Sequence, residues 1–422
     1  MKQISTNKEP KTLMDIFDVK ESYRFPDAIM TALLSGDADK YIEKVKDSLI
    51  DIRNVFQEEQ GDRKNLKQDF TPDCICELVA KISKDGSCLD MCSGTGALSK
   101  AFVRMHGSNV NEYEFSERTI PFALLDACVN GLEGHISRTD CLRKKTSESY
   151  RLERKGKISI PKAVEAQSIE KYDNVIMNPP YSMKFQDAED YPILGVTVPK
   201  SKADYAFLLR GIEHLNEDGR LIAVLPHGVL FRGAAEGKIR EALIRKHLIN
   251  CVIGLPDKLF LNTSIPVCLL IIERNSQDVL FIDASKDFVK CSAQNNMTES
   301  HIERATYAFD ERRDIEKYAH VAKYEEIEDN DFNLNIPRYV DIFEEEPLPD
   351  IQSILENLKN ISEEERKTQD QMYKMLRLLT GSSQDTEAMK THAEILKPIK
   401  RKKVVADEAV QMELGDLIGF TM

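Results

Sequence analysis

Asn178-Pro179-Pro180-Tyr181 closes the apolar run Asn174-Val175-Ile176-Met177, and a strand ending in such a polar hook suits chemistry on a planar exocyclic amine. The lone pair of that amine is delocalised into its ring. Two acceptors that receive both N–H groups draw the nitrogen toward sp3 geometry and free the pair to attack a methyl donor. The Asn178 side-chain oxygen and the Pro179 carbonyl are candidates for these acceptors. Pro179 and Pro180 fix φ at both positions and donate no N–H, so the turn is held in one orientation. Tyr181 offers a flat face for the ring. An Asn-Pro-Pro triplet also ends strands as a plain turn, and the tetrad alone does not choose between the two readings.

A second segment supplies what the tetrad lacks. Ser87-Cys88-Leu89-Asp90-Met91-Cys92-Ser93-Gly94-Thr95-Gly96-Ala97-Leu98 reads as a strand running into a glycine loop. Gly94 and Gly96 let the backbone approach a ligand closely, and a helix from Ala97 onward would present free N–H groups. Eighteen residues beyond Gly96, Glu114 ends a second short strand, Asn111-Glu112-Tyr113-Glu114. An acid at about that distance takes ribose hydroxyls. Ser99 stands where a dinucleotide fingerprint has its third glycine, so a nucleoside cofactor without a pyrophosphate fits better. Glu114 and Asp140 are alternatively solvated acids at strand ends.

At 422 residues and 41% apolar content the chain holds one large domain with appendages or two to three smaller ones. It contains no run approaching a membrane span and no apolar signal core at its start, so a cytoplasmic protein with no membrane partner is expected. The nine cysteines lack paired C-x2-C spacing and read as reduced core thiols, with no metal site. The 58 basic and 71 acidic residues sum to −13, a balance that repels nucleic acid unless positive charge is concentrated or borrowed from a partner. Two concentrations stand out: Arg143-Lys144-Lys145 with Arg151, Arg154, Lys155, Lys157 and Lys162, and Lys400-Arg401-Lys402-Lys403. Each is either a phosphate contact or a solvated segment.

Residues 1–66 show helical spacing, and about 67–284, the greater part of a 67–345 domain, alternate apolar runs with amphipathic segments, which indicates a mostly parallel sheet flanked by helices. Between Leu255 and Ile265 only nine residues intervene, too few for a crossover helix, so those strands pair antiparallel. Residues 346–422 read as a helical tail with Ile351, Ile354, Leu355, Leu358 and Ile361 on one face and Met372, Met375, Leu376 and Leu379 repeating the pattern.

With these motifs in one order, the chain resembles the modification (M) subunit of type I restriction-modification systems, of the N6-adenine DNA methyltransferase family. The matching segments are Gln68-Asp69-Phe70-Thr71-Pro72, the Asp90 to Leu98 loop, Asp173 to Tyr181, Gly219 to Arg232, Gly254-Leu255-Pro256, Asn262 to Pro266 and Asn333 to Tyr339. The resemblance implies a class I S-adenosylmethionine-dependent methyltransferase fold, α/β with an antiparallel terminal hairpin and helical N- and C-terminal regions. It implies methyl transfer from S-adenosyl-L-methionine to N6 of a flipped-out adenine in double-stranded DNA. Asn178, Pro179, Pro180 and Tyr181 would then be catalytic. Gln68, Phe70, Thr71, Pro72, Asp90, Ser93, Gly94, Thr95, Gly96, Glu114 and Asp140 would hold the cofactor, with Glu114 on the ribose and Asp140 on the adenine.

The tail is too short and charged to read bases, so a separate specificity (S) subunit is the implied partner, with a second M subunit and a restriction (R) subunit in the full assembly. The tail packs either on that partner or on its own domain. The region before Gln68 is shorter than is usual in the family, which leaves the two-M, one-S arrangement open. Asp69 replaces an aromatic residue and Met91 a proline. No G-x4-G-K-[ST] phosphate loop occurs, so translocation and cleavage belong to another chain. Cys92 reads as a small packed residue and His227 as a structural loop histidine. The competing readings are a solitary DNA methyltransferase, an RNA or protein methyltransferase, and a silent DNA-binding scaffold.

Overall fold

The apolar runs become the centre of one 11-stranded sheet in the computed structural model of the chain. The structure describes residues 12–59, 70–166, 170–185, 190–191, 194–261, 263–291, 294–341 and 350–378, with a few positions between 385 and 391. The main-sheet strands are β1 Cys88–Met91, β2 Val110–Glu114, β3 Gly134–Asp140, β4 Lys145–Lys155, β5 Ile158–Val164, β6 Tyr172–Met177, β7 Leu215–Pro226, β8 Ile249–Gly254, β9 Val267–Ile272, β10 Asp278–Asp283 and β11 Ala319–Lys323. They lie in the order β11-β10-β8-β9-β7-β6-β1-β2-β3-β4-β5.

The five strands β3, β2, β1, β6 and β7 are mutually parallel. The expected hairpin is present, with Gly254 opposite Cys268, and β9 lies inside the sheet as an antiparallel strand between β8 and β7. Alternate residues face opposite sides. Ile176, Ile222 and Val224 join one buried cluster, and Val175, Met177, Leu221, Ala223 and Leu225 join the other. This parallel core with one inserted antiparallel strand is the expected α/β methyltransferase arrangement.

Helices α1 Leu13–Ile16, α2 Phe25–Leu33, α3 Ala38–Ser48 and α4 Ile52–Glu59 precede the sheet, followed by α5 Asp73–Ile82, α6 Ala97–His106, α7 Ile120–Val129, α8 Asp204–Glu213, α9 Ala234–Arg245, α10 Glu299–Glu311 and α11 Tyr324–Asp329. The N-terminal helices pack on α7. Phe25 meets Phe122 edge-on at 5.2 Å, and Phe56 lies 5.0 Å from the same ring. Aromatic pairs at such distances add to the area they bury. All of this belongs to one compact unit, Met1–Phe343.

Two features differ from the reading of the sequence. The basic stretch after Asp140 is neither loop nor open phosphate clamp: β4 and β5 form a hairpin that extends the sheet antiparallel from β3. Its cations are largely partnered inside the chain. Arg151 and Lys162 both meet Glu153, Lys155 meets Asp39 at 2.6 Å, and Lys144 meets Glu213 at 2.9 Å. Such exposed pairs add little stability but cancel the local field.

The second unit, Glu344–Met422, carries α12 Ile351–Leu378. Ile351, Ile354, Leu355, Leu358, Ile361, Met372 and Met375 are exposed along it, while Leu376 is half-buried. Gln68, Asp69, Asn262, Leu379 and Lys400 to Lys403 lie outside the described residues. Among the described residues no helix is long and apolar enough to cross a membrane, no cluster of three metal-ligating side chains occurs, and the cysteines are free.

Candidate active site

The loop after β1 turns on two glycines in the left-handed region, Gly94 at φ +57° and Gly96 at φ +75°. Gly96 is required twice over, because a Cβ there would stand 2.8 Å from Glu112 Oε1. Beneath the loop, Asp90 of β1 and Glu112 of β2 are register partners, and both are fully buried. Asp90 Oδ2 accepts from the Ser99 backbone N–H at 3.1 Å and the Ser99 hydroxyl at 2.8 Å. Asp90 Oδ1 and Glu112 Oε2 have no partner. Burial pushes the Asp90 carboxyl up to about 7 against the Ser99 bonds. Burial, then the Asp90 charge, pushes Glu112 up to about 8. The pair therefore holds at least one proton at neutral pH instead of carrying two adjacent charges.

Glu114, at the end of β2, is caught by the backbone. Its two oxygens accept from Gly94 N–H at 2.9 Å and Ser116 N–H at 2.7 Å. Burial raises its pKa while these amide bonds oppose the rise. Asp140, ending β3, accepts from the Arg143 backbone at 3.0 Å and pairs with the Arg143 guanidinium at 3.0 Å. Both acids line the cavity.

The tetrad follows β6. Asn178 Nδ2 donates to Thr71 Oγ1 at 2.8 Å, and Tyr181 Oη donates to Asn178 Oδ1 at 2.8 Å. The amide is thus held from both ends, and Oδ1 keeps a second lone pair for a further donor. The Tyr181 ring meets Phe260 edge-on at 6.1 Å. The next turn is anchored from below: Ser182 N–H donates to Asp204 Oδ1 at 2.7 Å, and Arg232 grips Asp204 Oδ2 at 2.9 Å and Glu236 at 3.0 Å. Asp204 is fully buried, so Arg232 neutralises a charge that would otherwise stand alone.

These parts close on one cavity of about 390 Å3. Phe70, Thr71, Ser93, Gly94, Thr95, Glu114, Asp140 and the whole tetrad line it. Pro72 instead caps the start of α5, Asp90 supports the loop from behind, and Gly96 caps α6. The structure also brings in residues that the sequence did not single out. Arg53 and Phe56 come from α4, Phe115 follows Glu114, and Tyr113, Met183 and Phe185 complete the apolar walls. Arg53 and Phe56 sit three apart in a charged stretch that reads as an ordinary amphipathic helix, so only packing reveals them.

Cys92 lines the cavity beside Cys141, whose thiol together with burial holds the Cys92 thiol well above its ordinary range, unsuited to nucleophilic attack. His227 stands off the cavity wall. Burial lowers its pKa, and its Nε2 has no partner, as befits a packed neutral ring. The site therefore combines a nucleoside-sized slot carrying acidic acceptors with an amide-carbonyl hook against its wall.

A family model of N-6 DNA methylases matches residues 46–347. The type I restriction enzyme MjaVIII methylase subunit of Methanocaldococcus jannaschii is 29% identical over 324 residues, covering 70% of this chain and 53% of the relative. The MpnII methylase subunit of Mycoplasma pneumoniae is 26% identical over 328 residues, covering 70% of this chain and 57% of the relative. The chain spans about half the length of these curated relatives. Among solved structures, the type I restriction-modification methyltransferase subunit from Streptococcus thermophilus is 33% identical with a TM-score of 0.61, covering 78% of this chain and 75% of that one.

Proposed function

The chain belongs to the N-6 DNA methylase family, and from that premise we propose that it is the modification subunit of a type I restriction-modification system, methylating N6 of adenine in double-stranded DNA with S-adenosyl-L-methionine. The observation that carries the reading is the bond from Asn178 to Thr71, which ties the amine hook to the wall of the cofactor slot. An electron-rich nitrogen held at Asn178 then lies beside whatever the slot presents.

The residues fit the cofactor. Glu114 and Asp140 suit hydroxyl and amine donors at the nucleoside end, and Phe115 and Phe70 supply apolar walls. Ser93 Oγ is buried without a partner at the same loop, a polar atom left for a ligand to satisfy. When bound, S-adenosylmethionine supplies an electrophilic methyl group on sulfur.

The chain's own part is to hold the amine. Asn178 Oδ1 and the Pro179 carbonyl accept its two N–H groups, and Tyr181 stacks on the ring. Hydrogen bonds that strengthen as the nitrogen turns sp3 favour the transition state over the bound substrate. The two prolines keep the acceptors in place, and the Asp204–Arg232 anchor keeps the turn beneath them. An adenine inside a duplex cannot reach this pocket, so the base is flipped out at a cost on the order of a few kcal/mol.

Specificity is assigned to a separate S subunit. The net charge of −13 and the internally paired hairpin leave DNA contact to be completed by a partner. The apolar stripe of α12 within residues 346–422 is the surface proposed to bind it. A second M subunit and an R subunit belong to the same reading.

The test is methyl incorporation from labelled S-adenosylmethionine into unmethylated mixed-sequence DNA, with the chain alone and with the S subunit encoded beside it. Label on adenine only with the partner supports the proposal, and label with the chain alone marks a solitary enzyme. No label on DNA in either case, with transfer to RNA or protein or with none at all, overturns it.

A further inference from the structure

We infer that Arg53 is the residue that recognises the carboxylate of the cofactor's amino-acid tail, an inference that rests on the S-adenosylmethionine reading above. It begins from the order of strand ends around the cavity. The tetrad follows β6, the glycine loop follows β1, Glu114 ends β2 and Asp140 ends β3, and these four strands are neighbours in that order. At about 4.8 Å per strand, Glu114 and Asp140 lie about 10–14 Å across the sheet from the strand that carries the tetrad. A nucleoside held by the two acids puts its sulfur toward Asn178. The amino-acid tail then reaches the wall nearest Thr71.

Arg53 occupies that wall. One terminal guanidinium nitrogen donates to the Thr71 carbonyl, the other to Asp73 at 2.7 Å, and the side chain is 14% exposed in the cavity lining. Its Nε is buried with no partner. An arginine has five N–H donors in a fixed fork, so donors remain for a carboxylate after these two bonds. The Asp73 carboxylate that shares it is 94% exposed and weakened by water.

Arg53 is the least exposed cation among the described lining residues. Among the described lining residues the remaining two are Arg143, bound to Asp140 at the nucleoside end, and Lys184, which is exposed. A ligand carboxylate entering a slot that already holds Glu114 and Asp140 requires a cation, and Arg53 is the one placed for it.

The placement is built into α4. The Asp51 carboxylate accepts from the Arg53 and Asn54 backbone N–H groups at 2.9 and 3.2 Å, which fixes where the helix starts. Four residues after Ile52, Phe56 is buried between Phe70 and Phe122, locking the helix against the site.

The experiment is calorimetric titration of wild type and Arg53→Gln with two ligands: S-adenosylhomocysteine, and S-adenosyl-3-thiopropylamine, the same thioether lacking only the carboxylate. Arg53→Gln is expected to weaken S-adenosylhomocysteine by about 10- to 100-fold, the range of a charge-assisted hydrogen bond, and to leave the amine within about twofold. Should Arg53→Gln melt early without ligand, Arg53→Lys carries the test, with a smaller loss confined to the carboxylate ligand. Equal affinity of wild type and variant for S-adenosylhomocysteine, or equal loss on both ligands, overturns the inference alone. A wild-type protein that binds neither ligand removes the S-adenosylmethionine reading with it.

Discussion

At the scale of single residues, the amide of Asn178 is asymmetric in what holds it. Thr71 accepts from its nitrogen and Tyr181 donates to its oxygen, so the carbonyl is aimed and polarised before any substrate arrives. Asn178→Ala should lower kcat by at least about 100-fold, the scale seen when a preorganised hydrogen-bond group is deleted, while S-adenosylhomocysteine affinity stays within about threefold. Single-turnover methylation with parallel titration checks this. Thr71→Val keeps shape but removes the acceptor. It should cost about tenfold in kcat, and Thr71→Ser should restore most of the loss, which separates aiming of the amide from packing.

At the scale of elements, the loop between β1 and α6 combines left-handed backbone with a buried carboxyl pair. Gly96→Ala forces an unfavourable left-handed residue and a contact with Glu112, so it should destabilise by at least about 1 kcal/mol. Gly94→Ala meets no neighbour within 4 Å and should lose less. Denaturant midpoints at unchanged slope would read both. The Asp90–Glu112 pair gives a pH prediction with a definite sign. Glu112 rises on burial from 4.5 to about 8, so the folded chain binds more protons than the unfolded one between those values. Stability is then highest below the unfolded pKa and falls as pH climbs toward about 8. Thermal melts from about pH 5 to about pH 8.5 should show this decline in wild type, and Glu112→Gln should make it shallower while the contribution of Asp90 remains.

At the scale of the whole molecule, the described cavity residues fall between Arg53 and Phe207, all in the unit Met1–Phe343. A chain ending at Phe343 should therefore fold and bind S-adenosylhomocysteine like the full chain. The stripe on α12 belongs to the other unit. On the proposed reading of α12 as the docking face for an S subunit, Leu355→Asp with Leu358→Asp should leave cofactor binding intact and abolish any stimulation of methyl transfer by that subunit, as co-purification and label incorporation would report. Loss of cofactor binding instead would assign the stripe to the chain's own folding.

What the sequence by itself determined was the set of local signals. The tetrad, the glycine loop and the acids closing two strands are short, contiguous patterns whose chemistry depends on residue type and spacing, and the nine-residue gap after Leu255 forces an antiparallel pair at any tertiary arrangement. The alternation of apolar runs determined the α/β class for the same reason, since burial on both faces demands it. Tertiary structure alone decided what depends on contacts distant in sequence. Arg53 and Phe56 reach the cavity only because α4 packs on α7, through rings 66 positions apart at Phe56 and Phe122. The basic stretch became a β-hairpin because its apolar members Tyr150, Leu152 and Ile158 could be buried while its cations found acids as remote as Asp39. Asp90 stands behind the glycine loop, fully buried and bonded to the Ser99 backbone and hydroxyl, a position that strand register and the packing of α6 decide. Local patterns carry chemistry, but which surface a side chain meets is set by the packing of the rest of the chain.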